Sequence, residues 1–113
     1  MSSKELLAVS GATPIGRVLR NNSGRLKFVY EEAWQTAPGA FPLSLSMPLT
    51  ATEHSHQKID AFLWGLLPDN ATVLDNWGRQ FQVSPRNAFA LLSHVGEDCA
   101  GAVQFIPPER LES

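Results

Sequence analysis

The sequence is poor in several features that would each define a class of protein. Its 113 residues include one cysteine, Cys99, so no internal disulfide is possible and we expect a protein of the reducing cytoplasm. No apolar run approaches the ~20 residues that span a membrane, and no signal-peptide core follows the first residues. A net charge of −2 gives no electrostatic reason to bind nucleic acid or an anionic membrane.

Motifs for catalysis are also missing. The sequence contains no Ser/His/Asp set, no glycine-rich dinucleotide loop and no group of four zinc ligands. Gly96 and Gly101 have the spacing of a phosphate loop, but Ala102 and Val103 stand where Lys and Ser/Thr are required. We therefore predict no catalytic residue and no cofactor site.

A metal site is equally poorly supported. Glu53, His54 and His56 resemble a ligand group, but they fall in the polar segment Thr50–Gln57, which we predict to be an exposed linker. A zinc site needs a fixed third and fourth ligand, and this loop offers none. We predict no metal site.

What the chain does contain is typical of one globular α+β domain over residues 1–113, with 43% hydrophobic and 18% charged residues. Two apolar segments, Leu6–Ser10 and Ile15–Arg20, are strand candidates. Asn21–Gly24 has strong turn chemistry, and Leu26–Tyr30 alternates apolar and other residues as a half-buried strand does. These segments predict a small antiparallel meander.

Basic residues gather on this meander. A solvated sheet face is the ordinary explanation, and a site for an anion or a partner is the alternative. The cluster consists of Arg17, Arg20, Arg25 and Lys27.

Two later segments also read as strands. Leu43, Leu45 and Met47 alternate with serines between two prolines, which predicts an edge strand over residues 43–47. Residues 102–106 predict a final strand. Between the meander and the first of these strands, Glu31–Trp34 predicts one helical turn.

The segment Asp60–Asn70 predicts the central helix of the fold. Pro68 ends it, and Asp69 or Asn70 is placed to cap the next element. Trp64 points about 130° away from the centre of the apolar stripe at roughly 100° per residue. That stripe consists of Ile59, Phe62, Leu63, Leu66 and Leu67.

Two more helices are expected. One continues through residue 81, and the other starts at Ser84-Pro85 and ends at Gly96, with residues 97–101 as a turn. Together these elements predict a small antiparallel sheet covered by about three helices. Its core is predicted to contain Leu45, Phe62, Leu66, Trp77, Leu92 and Val103.

Three segments in register resemble the N-terminal subdomain of HipA-type serine/threonine kinases. They are Pro42–Leu49, Phe62–Asn70 and His94–Val103, with the Asn87–Leu92 helix directly before the third. The resemblance extends over residues 15–106, nearly the whole chain. It implies a bacterial toxin–antitoxin context, in which such kinases phosphorylate an aminoacyl-tRNA synthetase, favour persistence and pair with a DNA-binding helix-turn-helix antitoxin.

The sequence departs from that family in its length. The ATP-binding loop, catalytic Asp and metal-binding Asp of a full HipA-type kinase lie in a C-terminal portion that these residues do not include. The chain therefore resembles either an N-terminal domain of a kinase or the small, HipS-like subunit of split three-component Hip systems, which acts as antitoxin.

Two functional hypotheses arise from the resemblance. The chain is a regulatory module that docks on a kinase core, in cis or in trans, or it is an assembly scaffold that joins the kinase to its antitoxin. No particular oligomeric state is favoured. The candidate interface residues are Trp64, Gly65, Asp69 and Asn70; for Trp64 the alternative is burial under the N-terminal meander or the Trp34 segment.

Overall fold

The computed structural model describes residues 5–11, 13–99 and 103–108, which form nine elements. None of the described helices has the length and apolar content needed to span a bilayer. The strands are β1 Glu5–Ser10, β2 Thr13–Arg20, β3 Leu26–Tyr30, β4 Glu53–His54 and β5 Gln104–Ile106. The helices are α1 Glu32–Gln35, α2 His56–Leu66, α3 Ala71–Phe81 and α4 Ala88–Cys99.

The five strands form one antiparallel sheet in the order β4-β3-β2-β1-β5, which confirms the α+β class. The predicted meander is its centre. Asn21 shapes the β2–β3 turn, because its Oδ1 accepts hydrogen bonds from the backbone N–H groups of Ser23 and Arg25, both at 2.9 Å. Gly24 adopts a φ of +83° in the same turn, a conformation that other residues rarely take.

The core lies between the sheet and the helical layer, in which α2 contacts β3 and α4 contacts β5. Leu92 and Val103 are buried there as predicted. Phe62, Leu66 and Trp77 are only partly buried and pack against the edge of the cluster. The placement of Leu45 in the core was wrong, since its side chain is 95% exposed.

The strand predicted over residues 43–47 is instead a tight turn. The Met47 N–H donates to the Ser44 carbonyl at 2.9 Å, and these two residues form an isolated bridge. The Tyr30 hydroxyl holds both ends, donating to the Met47 carbonyl at 2.5 Å and accepting from the Leu43 N–H at 2.7 Å. Leu43 and Met47 are therefore buried while Leu45, at the tip, is not.

Two further expectations, the exposed linker and the helix start at Ser84, need correction. The segment Thr50–Gln57 is not an exposed linker throughout, because Glu53–His54 forms β4, His54 is buried and α2 begins at His56. Ser84 does not begin the last helix; its hydroxyl accepts from the Arg86 N–H in a turn, and the Asn87 side chain accepts from the Ala90 N–H at the start of α4.

Gly96 does not end α4 either, since the helix continues to Cys99. A Cβ at Gly96 would lie 2.6 Å from the Phe105 carbonyl oxygen, so the glycine allows α4 to approach β5 closely. The turn predicted over residues 97–101 is therefore helical as far as Cys99, and its last two residues lie outside the described part of the chain, as does the start of the strand predicted over 102–106.

Replacing Tyr30 by Phe tests the hydroxyl that holds the 43–47 turn. The Leu43 N–H and the Met47 carbonyl would both lose a buried partner, so we expect the free energy of unfolding to fall by ~1–3 kcal/mol. Urea unfolding of Tyr30→Phe and wild type at neutral pH measures this loss. An unchanged midpoint would contradict the assigned hydrogen bonds.

The same pair of proteins has an expected pH dependence. Burial raises the pKa of Tyr30, against a smaller lowering by the Leu43 N–H hydrogen bond. The folded state then keeps the phenol proton above about pH 10, where the unfolded state loses it, so wild-type stability falls as the pH rises past that value. The difference in the free energy of unfolding between wild type and Tyr30→Phe should therefore become smaller above about pH 10.

Candidate functional site

Trp64 lies at the margin of the buried face of α2. Ile59 and Leu63 are fully buried, and Leu67 is buried directly after the helix. At about 100° per residue, the midpoint of these three positions lies about 100° around the helix from Trp64. The midpoint of the predicted stripe lay farther away, at about 130°. Trp64 is accordingly partly buried and packs against the core cluster.

One side of Trp64 borders an open depression of about 700 Å³, here called the Trp64 depression. It includes all four residues that the sequence singled out as interface candidates, because Pro68 ends α2 and the chain turns there into α3. Their proximity is a finding, and their role in binding stays a prediction. The lining consists of Trp64, Gly65, Leu67, Pro68, Asp69, Asn70, Ala71 and Leu74.

The three polar or small candidates have different local roles. The Asn70 side chain caps α3, accepting from the Thr72 N–H at 2.9 Å and the Val73 N–H at 3.3 Å. Asp69 is exposed beside that helix start. Gly65 is exposed, and a Cβ there would meet no atom within 4 Å, so its hydrogen leaves open space above the helix.

Trp64 also lines a second, smaller depression of about 370 Å³. Gly24 and Leu26 of the meander line it, together with Phe89 of α4. Trp34 is not among the residues that line either depression, and its ring packs edge-on against Phe41 with ring centroids 5.1 Å apart. Trp64 therefore lines two depressions, and its side chain is partly buried against the core and partly exposed.

The basic cluster on the meander divides into two parts. Arg17 bridges Glu5 and Glu31, at 2.9 Å each, and the hydrogen bond with Glu31 is the main reason that its pKa is raised. The other three cations line a cleft of about 620 Å³ beside β4. Lys27 lies 3.5 Å from Glu53, and the Arg20 guanidinium lies 5.6 Å from the centre of the Phe89 ring.

The two histidines that resembled metal ligands both bind backbone. His54 Nε2 lies 3.0 Å from the Pro48 carbonyl oxygen and 3.1 Å from that of Ala51. His56 Nδ1 accepts the Leu26 N–H at 2.8 Å and so joins α2 to β3. Among the described residues, no three His, Cys, Asp or Glu side chains are grouped so that they could hold a metal ion.

One surface feature was missed by the sequence reasoning. Residues 41–48, here called the apolar turn, contain the two large apolar side chains that are exposed in the described part of the chain, Phe41 at 38% and Leu45 at 95%. The signal was present, since two prolines and two serines in eight residues favour a turn over a strand.

Comparison with known proteins gives a consistent result. The family model described as the HipA N-terminal domain matches residues 6–106. A putative kinase, Y4mE, of Sinorhizobium fredii is 36% identical over 96 residues, which are 85% of this chain and 23% of that protein. The serine/threonine-protein kinase toxin HipA of Shewanella oneidensis is 44% identical over 78 residues, which are 69% of this chain and 17% of that protein. The matched region thus spans less than a quarter of either relative.

Proposed function

The chain belongs to the HipA N-terminal domain family, and on that premise we propose that it is a non-catalytic module that docks on the kinase core of a HipA-type toxin and regulates it. The module acts on a core in the same polypeptide or on a separate kinase subunit. A helix-turn-helix antitoxin contacts the resulting complex through the kinase.

The missing phosphoryl-transfer motifs and the greater length of the related kinases support a non-catalytic role. Phosphoryl transfer needs a phosphate-binding loop, carboxylates that hold the metal and a group that orients the nucleophile. The phosphate-loop spacing of Gly96 and Gly101 lacks its Lys and Ser/Thr, and α4 runs through Gly96. The named kinases are more than four times as long as the segment that matches this chain, which leaves room for the catalytic parts elsewhere.

The Trp64 depression is the observation that carries the docking proposal. It combines an indole at its wall, the apolar side chains of Leu67 and Leu74, and one carboxylate, Asp69, at the rim. Tryptophan is over-represented among the residues that dominate binding energy in protein interfaces, and such residues lie in pockets with a polar border. Gly65 leaves space for a partner to approach the α2 backbone.

The proposal is tested by titrating this chain into a HipA-type kinase from which the matching N-terminal segment has been removed. We expect saturable binding in calorimetry and a change in the autophosphorylation rate of the kinase. Binding to the kinase and antitoxin together with an unaltered rate would instead indicate an assembly scaffold. No binding to the kinase would overturn the proposal.

The chain alone is expected not to bind ATP. Calorimetric titration with Mg-ATP should give no signal, because the residues that hold nucleotide phosphates and magnesium in kinases belong to the remainder of the relatives. The HipA-type kinase from which the matching N-terminal segment has been removed, here called the removed-segment kinase, serves as the positive control in the same buffer. Low-micromolar binding by the isolated chain would contradict the assignment as a non-catalytic module.

A further inference from the structure

The apolar turn lies within a long uncharged stretch. No Asp, Glu, Lys, Arg or His occurs from Ala33 to Thr52, although charged residues border the stretch on both sides at Glu32 and Glu53. Its middle is at the surface, where Phe41 and Leu45 are exposed together with Pro42 and Pro48. Depletion of charge with exposed apolar side chains is characteristic of the centre of a protein interface.

The turn is also held in place. The Tyr30 hydroxyl binds both of its ends from within the core, and the Ser44 and Ser46 hydroxyls lie 3.1 Å apart across its tip. At its beginning, the Trp34 indole N–H donates to the Phe41 carbonyl at 3.1 Å. A segment already fixed in one conformation loses little conformational entropy when it binds. The entropic cost of binding through Leu45 is therefore small.

We propose that the apolar turn is a second docking element, in which the Leu45 side chain enters an apolar pocket on the kinase core of a HipA-type toxin. This inference rests on the proposed function and adds the residue that anchors the second contact. Leu45 has almost all of its apolar surface to remove from water, and two exposed prolines beside it donate no N–H groups that would need partners.

The kinase core is the occupant for two reasons. The matched segment makes up only 23% and 17% of the relatives, so a large body of kinase is available to cover the turn. The turn is joined through the Pro48 carbonyl oxygen and His54 Nε2 to β4, which directly precedes α2 in the chain, and Trp64 lies near the end of that helix.

Leu45→Glu is the test, with Gln80→Glu as its matched control. Both replace an exposed residue by the same charged one, and Gln80, on α3, belongs neither to the apolar turn nor to the lining of the Trp64 depression. We expect Leu45→Glu to weaken binding to the removed-segment kinase at least tenfold, because a carboxylate would have to enter an apolar pocket. Gln80→Glu should bind as wild type does, and both variants should unfold at the wild-type temperature.

The outcomes separate this inference from the proposed function. If wild type binds the kinase and Leu45→Glu binds equally well, the apolar turn is not a docking element and the proposed function stands. If wild type does not bind, both fail. If Leu45→Glu abolishes self-association of the chain in analytical ultracentrifugation while kinase affinity is unchanged, a second copy covers the turn and the inference is overturned.

Discussion

Leu63→Ala is expected to lower the free energy of unfolding by about 2–5 kcal/mol. The Leu63 side chain is fully buried on the core face of α2, where the helix packs against the sheet. Truncation removes apolar burial and leaves a cavity that the surrounding side chains fill only in part. Urea unfolding followed by tryptophan fluorescence measures the loss.

Leu66→Ala is the matched comparison for that variant. It makes the same chemical change on the same helix, but Leu66 is only partly buried. The gain in helix propensity from Leu to Ala is small and common to both, so the difference in cost reports burial. A cost for Leu66→Ala equal to that for Leu63→Ala would show that the core face of α2 runs through Leu66, as the sequence had predicted.

The N-terminal meander was predictable because its determinants are local. Alternation at Leu26, Phe28 and Tyr30 assigns the strand and its buried face, and Asn21 and Gly24 form the turn through their own backbone neighbours. Nothing distant in sequence is needed to decide either feature.

The apolar turn was mispredicted because a distant group decides its shape. A strand and a turn with buried ends show the same alternation over five residues, so this pattern hid the turn signal of the prolines and serines; the Tyr30 hydroxyl, contributed by β3, holds the turn. The structural role of Gly96 is likewise decided by a residue distant in the sequence. Its role as a contact with Phe105 depends on how closely α4 approaches β5, whereas its sequence position alone favoured a helix end.

The sequence singled out four residues that line one depression, but it did not predict the shape of that depression. A tryptophan off the apolar stripe, followed by Gly65 and Pro68, singled out this part of the chain, and its role in binding stays a prediction. The sequence could not show that the core face of α2 is rotated toward Trp64, because that rotation is set by packing on the sheet. It also could not show that Asn70, and not Asp69, caps α3.

Trp64→Ala is expected to weaken binding to the removed-segment kinase at least tenfold, about 1.4 kcal/mol. Because the indole is partly buried, the variant should also lose some stability, so the melting temperature must be measured alongside affinity. Binding is therefore compared at a temperature where wild type and variant are both fully folded. A large drop in melting temperature with unaltered affinity would show that Trp64 serves the core alone.

Gly65→Ala distinguishes a role in stability from a role in binding most sharply. The substitution is expected to keep or raise stability and to lower affinity for the kinase. The added Cβ meets no atom within 4 Å in the chain itself, and alanine is favoured over glycine in a helix by up to ~1 kcal/mol, so stability should be kept or raised. If a partner packs closely over α2 beside Trp64, the same methyl group blocks its approach, and affinity for the kinase should fall. A Gly65→Ala variant that is more stable and binds as tightly as wild type would place the kinase contact away from the Trp64 depression.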